Sequence, residues 1–228
     1  DMGNQIYGDL VLPSPLETFK TLNLMLHDDN IINEIKTTLY RSSIGFSISL
    51  LFGTTLGLLA GFFATASMMS RPIVTILVGM PPIAWIVLAM IWFGMGDETV
   101  IFTVIVASFP IIFVGALQGT RTLDGDLKEM AQSFNFPWHM KFLDVYFPHI
   151  FSYVFPAWVS ALGMAWKIVI MAELLATSDG IGATLATARS QLDTPTALSI
   201  VVIMIGSLMF IEYIILEPIK REVELWRD

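Results

Sequence analysis

The sequence predicts an all-α membrane protein, a polytopic bundle of helices, on three observations. Of its 228 residues, 55% are hydrophobic and 14% charged, with a mean hydropathy of +0.71. A soluble domain runs at about 45–50% apolar and about 25% charged. Apolar runs of roughly 20 residues, the length that crosses a hydrocarbon core of about 30 Å, recur along the chain. They cover 39–63, 73–93, 100–118, 152–176 and 197–216. Lys+Arg 12 against Asp+Glu 20 gives a net charge of -8, which repels phosphate backbones and excludes a nucleic-acid module. The absence of cysteine removes disulfide frameworks, thiolate metal sites and cysteine nucleophiles.

The elements follow in order. Residues 1–38 read as an external N-terminal loop leading to a short helix, with the turn-forming Leu12-Pro13-Ser14-Pro15. The membrane domain is expected at 39–217 and a cytoplasmic tail at 218–228. The first run carries Gly45, Ser49, Gly53, Gly57 and Gly61, a small residue every four positions. At 3.6 residues per turn these stay near one face, so a neighbouring backbone can approach there, which predicts a helix central to the bundle. The second run contains Pro81 and Pro82, a pair that must kink the helix or break its hydrogen-bond ladder; it marks either a pathway-lining bend or a plain one. Lysine and arginine set orientation. Arg71, Arg121, Lys128, Lys141, Lys220, Arg221 and Arg227 fall on the side of the long polar insert 119–149, whereas Lys20, Lys36, Arg41 and Arg189 fall on the other. The insert and the C terminus are therefore expected inside.

Chemistry-bearing motifs are sparse. The sequence has no phosphate-binding glycine loop, no nucleophile elbow and no zinc-binding helix, so no ATP hydrolysis is expected of this chain. His27, His139 and His149 fall in polar segments without ligand spacing, and no metal site is expected. Two ionisable residues lie within the fourth run, Lys167 and Glu173. Such residues are costly in a bilayer and usually face the bundle interior. Lys167, past the middle of the run, reads as a cation beside an anion pathway, as the partner of an acid, or as a snorkelling side chain. Glu173, six residues on, lies on a different face and is expected to cap or pair locally.

The insert is the most specific segment. Asp126 followed by Glu129 resembles a capping box, Asn135 tolerates a left-handed turn, and Pro137 suits the first turn of a second helix. Phe134, Phe136 and Trp138 crowd that turn with apolar bulk, which favours docking into a partner, with membrane-surface contact as the rival.

In these features the chain resembles the membrane-spanning permease of a binding-protein-dependent ABC importer of the nitrate/sulfonate/taurine type, a type I importer bundle. The insert is similar to the family's EAA loop, with Glu129, Ala131, Asn135 and Pro148 in the matching order. Met130 and Asn135 depart from the family's alanine and glycine. Pro81-Pro82-Ile83-Ala84-Trp85, Ala172-Glu173-Leu174-Leu175 and Gly180-Ile181-Gly182 also match. The resemblance implies a further N-terminal span, a second permease copy forming a homodimer, a cytoplasmic ABC ATPase, an external substrate-binding protein, and a prokaryotic inner membrane. ATP and Mg are then expected on the ATPase and no cofactor in this chain. It further implies ATPase coupling through 124–148, with Glu129, Ala131, Phe134, Asn135, Phe136, Trp138 and Pro148 as coupling residues. Lys167, Glu173, Pro81 and Pro82 are the pathway candidates. The solute is expected to be a small anion such as a sulfonate, nitrate, bicarbonate or carboxylate; an oxyanion, an amino acid or a vitamin precursor is the alternative. A membrane anchor or intramembrane enzyme is the reading outside transport.

Overall fold

The computed structural model describes residues 14–122 and 137–217. All regular structure among them is helical. Helix α1 (Pro15–Met25) starts where Ser14 accepts a hydrogen bond from the Glu17 N–H and Pro15 supplies a preset first turn. Helix α2 (Asp29–Phe62) begins ahead of its apolar run. Its first turn is prepared by Asp28, whose carboxylate accepts from the Asn30 N–H at 2.9 Å. Helices α3 (Ala64–Gly79) and α4 (Pro82–Phe93) follow. The expected run at 73–93 is thus not one straight helix. Neither Pro81 nor Pro82 has an N–H to give, so the ladder stops at Gly79 and restarts at Pro82, leaving a bent pair.

Gly94 and Gly96, both at positive φ, turn the chain into α5 (Asp97–Arg121), whose first turn holds Asp97 and Glu98 and whose last holds Arg121. Both charge placements suit the helix dipole. A helical turn at Trp138–Met140 and a π-helical stretch at Lys141–Tyr146 lead into α6 (Phe147–Ala176). Gly180, at φ 97°, opens α7 (Ile181–Ser190). Asp193 caps α8 (Thr194–Met209), where Pro stands in the first turn, and a π-helical stretch Phe210–Leu216 continues it. Four described helical stretches are long and apolar enough to cross a membrane: Asp29–Phe62, Asp97–Arg121, Lys141–Ala176 and Thr194–Tyr213. The bent pair makes a fifth when counted as one span.

The chain forms two compact units, each assembled from separated segments. One takes the chain up to Gly45 with Pro82–Val104 and Trp166–Glu212; the other takes Phe46–Pro81, Ile105–Ala165 and the chain from Tyr213. In the first unit, Met25, Ile181, Ala188 and Ile200 form a core against which Ile31, Ile35 and Leu185 pack. Gly45 lies so close to α5 that an added Cβ would sit 2.7 Å from Val104.

In the second unit, Gly53 and Gly57 bring α2 against Phe109, Ile112, Phe113 and Ala116 of α5, and Ser49 donates to the Ile105 carbonyl at 3.3 Å. Trp158 donates to Thr54 at 3.0 Å. Between Thr99 and Leu117, α5 has no exposed residue, whereas α2 exposes Leu51, Phe52, Leu56 and Leu59. Along this stretch α5 is thus the less exposed of the two helices, and the small residues of α2 mark the line where it packs against α5. Four-residue spacing of small side chains marks one close contact and says nothing about a helix's other faces.

Candidate functional site

A cluster of buried charge stands at one end of the spanning helices, within the first unit. Arg41, on α2, is 1% exposed. A guanidinium carries five N–H donors, and here they meet three carboxylates and a carbonyl. Nε and Nη2 donate to Asp97 Oδ1 at 2.8 and 2.5 Å, and Nη2 also reaches Asp179 Oδ1 at 2.8 Å. Nη1 donates to Glu173 Oε1 at 3.0 Å and to the Asp179 carbonyl at 2.9 Å. Asp97 opens α5, Glu173 lies in the last turn of α6, and Asp179 sits just before α7, so one side chain ties four segments together.

Glu173 is fully buried, and its second oxygen is also engaged. Thr38 donates to Oε2 at 2.8 Å and the Gly182 N–H at 3.1 Å. The Thr38 hydroxyl in turn accepts from the Ile181 N–H at 3.0 Å, and Glu34 accepts from the Gly180 N–H. The first N–H groups of α7, which have no acceptor inside their own helix, are thereby satisfied by side chains of α2 and α6. The positive end of the α7 dipole also faces Glu173, offsetting part of the excess of carboxylates over the single guanidinium. Gly180 is required twice: its φ favours glycine, and a Cβ there would run into the Glu173 carboxylate. With every guanidinium donor and both Glu173 oxygens occupied, the cluster fastens helix ends and has no group left to offer a passing solute.

Lys167 and Glu173 occupy different faces of α6, as their spacing dictates. Exposed residues recur at Tyr153, Pro156, Ser160, Met164, Lys167, Met171 and Leu175, a single stripe along the helix. Lys167 is the charge on that stripe, while Ala161, Ala165, Val169, Ala172 and Glu173 are buried. Pro81 and Pro82 flank the restart of α4. Gly61 packs against Thr120. Pro148 is the second residue of α6, and the backbone of Trp138 lies in the short helical turn before it. Glu129, Ala131, Phe134, Asn135 and Phe136 lie outside the described residues.

Sequence reasoning passed over Arg41, Thr38, Asp97 and Asp179. Arg41 counts with the loop residues in the orientation tally, although it stands inside the apolar run 39–63. Paired with an acid inside another run, it carried the available signal: opposite charges within two membrane runs are cheaper together than apart.

Residues 53–222 match the family described as "Binding-protein-dependent transport system inner membrane component". The chain belongs to this family: it is an integral membrane protein and a transport permease of the ABC importer class, not an enzyme. The putative aliphatic sulfonates transport permease protein SsuC of Bacillus subtilis is 27% identical over 99% of this chain and 82% of its own length. The taurine transport system permease protein TauC of Escherichia coli is 24% identical over 97% of this chain and 82% of its own. The bicarbonate transport system permease protein CmpB of Synechococcus elongatus is 25% identical over 74% of this chain and 64% of its own.

Proposed function

We propose that this permease imports a small anion, working as a homodimer with a cytoplasmic ABC ATPase that binds ATP and Mg and an external solute-binding protein. The insert 124–148 and the C terminus face the cytoplasm of a prokaryotic cell, and the Arg41 end faces outward. The observation that carries the anion reading is Lys167. A cation on the exposed stripe of a spanning helix is costly against hydrocarbon, about 2.5–3.5 kcal/mol at mid-span by insertion scales, so a water-filled pathway is its cheaper surrounding. The solutes in the relatives' names, aliphatic sulfonates, taurine and bicarbonate, each carry an anionic group and support the same choice. Glu173, fastened to Arg41, supports this pathway from behind, and the break at Pro81 and Pro82 lets α3 and α4 reorient as it opens. Coupling falls to Glu129, Ala131, Phe134, Asn135, Phe136 and Trp138, with Pro148 closing the insert.

The test is uptake by proteoliposomes holding the complex purified from its native membrane, with labelled taurine, an alkanesulfonate and bicarbonate against a neutral amino acid. ATP-driven uptake of at least one anion is expected, with KM raised about tenfold, equivalent to about 1.4 kcal/mol, in Lys167→Met. Uptake confined to the neutral solute sinks the anion reading, and unchanged kinetics in Lys167→Met removes that residue from the pathway.

A further inference from the structure

The second unit contains a clamp that the importer reading does not use. Helix α3 buries one residue, Ser67, which is 1% exposed although its neighbours along the helix face outward. Its hydroxyl accepts a hydrogen bond from Arg121 Nη1 at 2.8 Å. Arg121 is the last residue of α5, three positions ahead of the coupling segment 124–148. The next residue, Thr122, shares a hydrogen bond of 3.3 Å with His149 Nε2, on the far side of the insert, and the His149 ring lies 5.3 Å from that of Tyr153.

The backbones at this neck are equally close. An added Cβ at Gly119 would stand 3.0 Å from the Ile150 carbonyl and 3.2 Å from Tyr153 Cβ, and one at Gly61 would collide with Thr120. The last turn of α5 is thus held by α2, α3 and α6 together, and the two ends of the insert are pinned to each other. An arginine at a helix C-terminus also faces the unsatisfied carbonyls of that turn, which favours a cation there. A loop delivers a push from its tip only if its base does not swivel, and this base has three fastenings.

We propose that Ser67 and Arg121, together with Thr122 and His149, are positioning residues that fix the angle at which the insert leaves the membrane, so that movement of a partner at the loop is passed to α3, α5 and α6. The inference rests on the coupling reading above. Ser67 is the one buried residue of α3, with Ala66, Ser70, Val74 and Leu77 half-buried, and the Ser67–Arg121 bond is its polar fastening to the neck. Loss of that bond lets the insert turn without moving α3.

The experiment measures ATP hydrolysed per solute imported in the intact complex for the parent, Ser67→Ala, Arg121→Met and the double variant. ATPase copurification and the unfolding midpoint are recorded for each. The expected result is retained ATPase binding with a coupling ratio worse by about tenfold in each single variant. The double variant should be no worse than either single, because both remove one bond. His149→Phe, which keeps the ring beside Tyr153 and loses the nitrogen, should uncouple in the same direction and serves if Ser67→Ala fails to fold. Coupling within twofold of the parent in the single variants and His149→Phe overturns the proposal, as does a double variant whose effects multiply. If the parent itself recovers no ATPase or shows no ATP-driven import, the importer coupling reading fails instead, and the clamp falls with it.

Discussion

Replacing Arg41 by methionine removes a side chain that makes contacts with Asp97, Glu173 and Asp179 inside one unit. The consequences differ among its partners. Asp97 and Asp179 are 56% and 54% exposed, so water takes over their solvation and each loses at most about 1 kcal/mol. Glu173 is 0% exposed and keeps only Thr38 and Gly182 as donors, so Arg41→Met should cost about 3–5 kcal/mol, the range for breaking a buried pair from one side. Glu173→Leu leaves Arg41 with its two aspartates and orphans the Gly182 N–H, while Thr38 turns to the Glu34 carbonyl at 3.1 Å. Its expected cost is about 2–4 kcal/mol. The double variant carries no buried unpaired charge and should cost about as much as the worse single, giving a coupling energy of about 2–4 kcal/mol. Reversible unfolding by SDS in mixed micelles, followed by circular dichroism, measures all three. Single variants that each cost under about 1 kcal/mol and add to within about 0.5 kcal/mol would refute the claim that this pair fastens the helix ends.

Five further outcomes follow from the packing. Gly180→Ala should destabilise by more than about 2 kcal/mol, from left-handed backbone strain and collision with Glu173. Gly163→Ala, where a Cβ meets nothing within 4 Å, should be neutral or stabilising by up to about 1 kcal/mol in the same SDS titration. Gly57→Val would put a Cβ 2.5 Å from the Phe113 carbonyl and 2.8 Å from Ala116, so α2 and α5 must separate; a cost of about 1–3 kcal/mol is expected in the unfolding midpoint. Trp158→Phe loses the bond to Thr54 and should cost about 0.6 kcal/mol, the average for such bonds in membranes. Trp85→Phe should cost less, because the buried Trp85 Nε1 has no hydrogen-bond partner among the described residues.

The spans were legible because lipid as a solvent demands long apolar runs, and the runs 100–118 and 197–216 each lie inside or overlap one helix of the structure. The glycine spacing on α2 announced a close helix contact, but nothing in the spacing named α5 as its partner. Helix α2 starts at Asp29 because capping and the apolar positions Ile31 and Ile35 extend it; hydropathy averaged over a span is blind to both. Lys167 and Glu173 were both visible as charges in a run. Their difference, one on the exposed stripe and the other sealed against Arg41, depends on which residues other helices bring up, and Arg41 lies 132 positions away in sequence. The Ser67–Arg121 contact was illegible for the same reason: a serine and an arginine have no pattern until two helices cross.

The central claim is that this permease is driven by an ATPase seated on its insert, and copurification tests it most directly. The tagged chain, extracted gently from its native membrane, should bring down an ABC ATPase. Phe136→Asp should lose that ATPase while keeping the parent's unfolding midpoint in SDS. Absence of any ATPase from the parent, in a crosslinked preparation as well, would contradict the account, and so would equal recovery with Phe136→Asp.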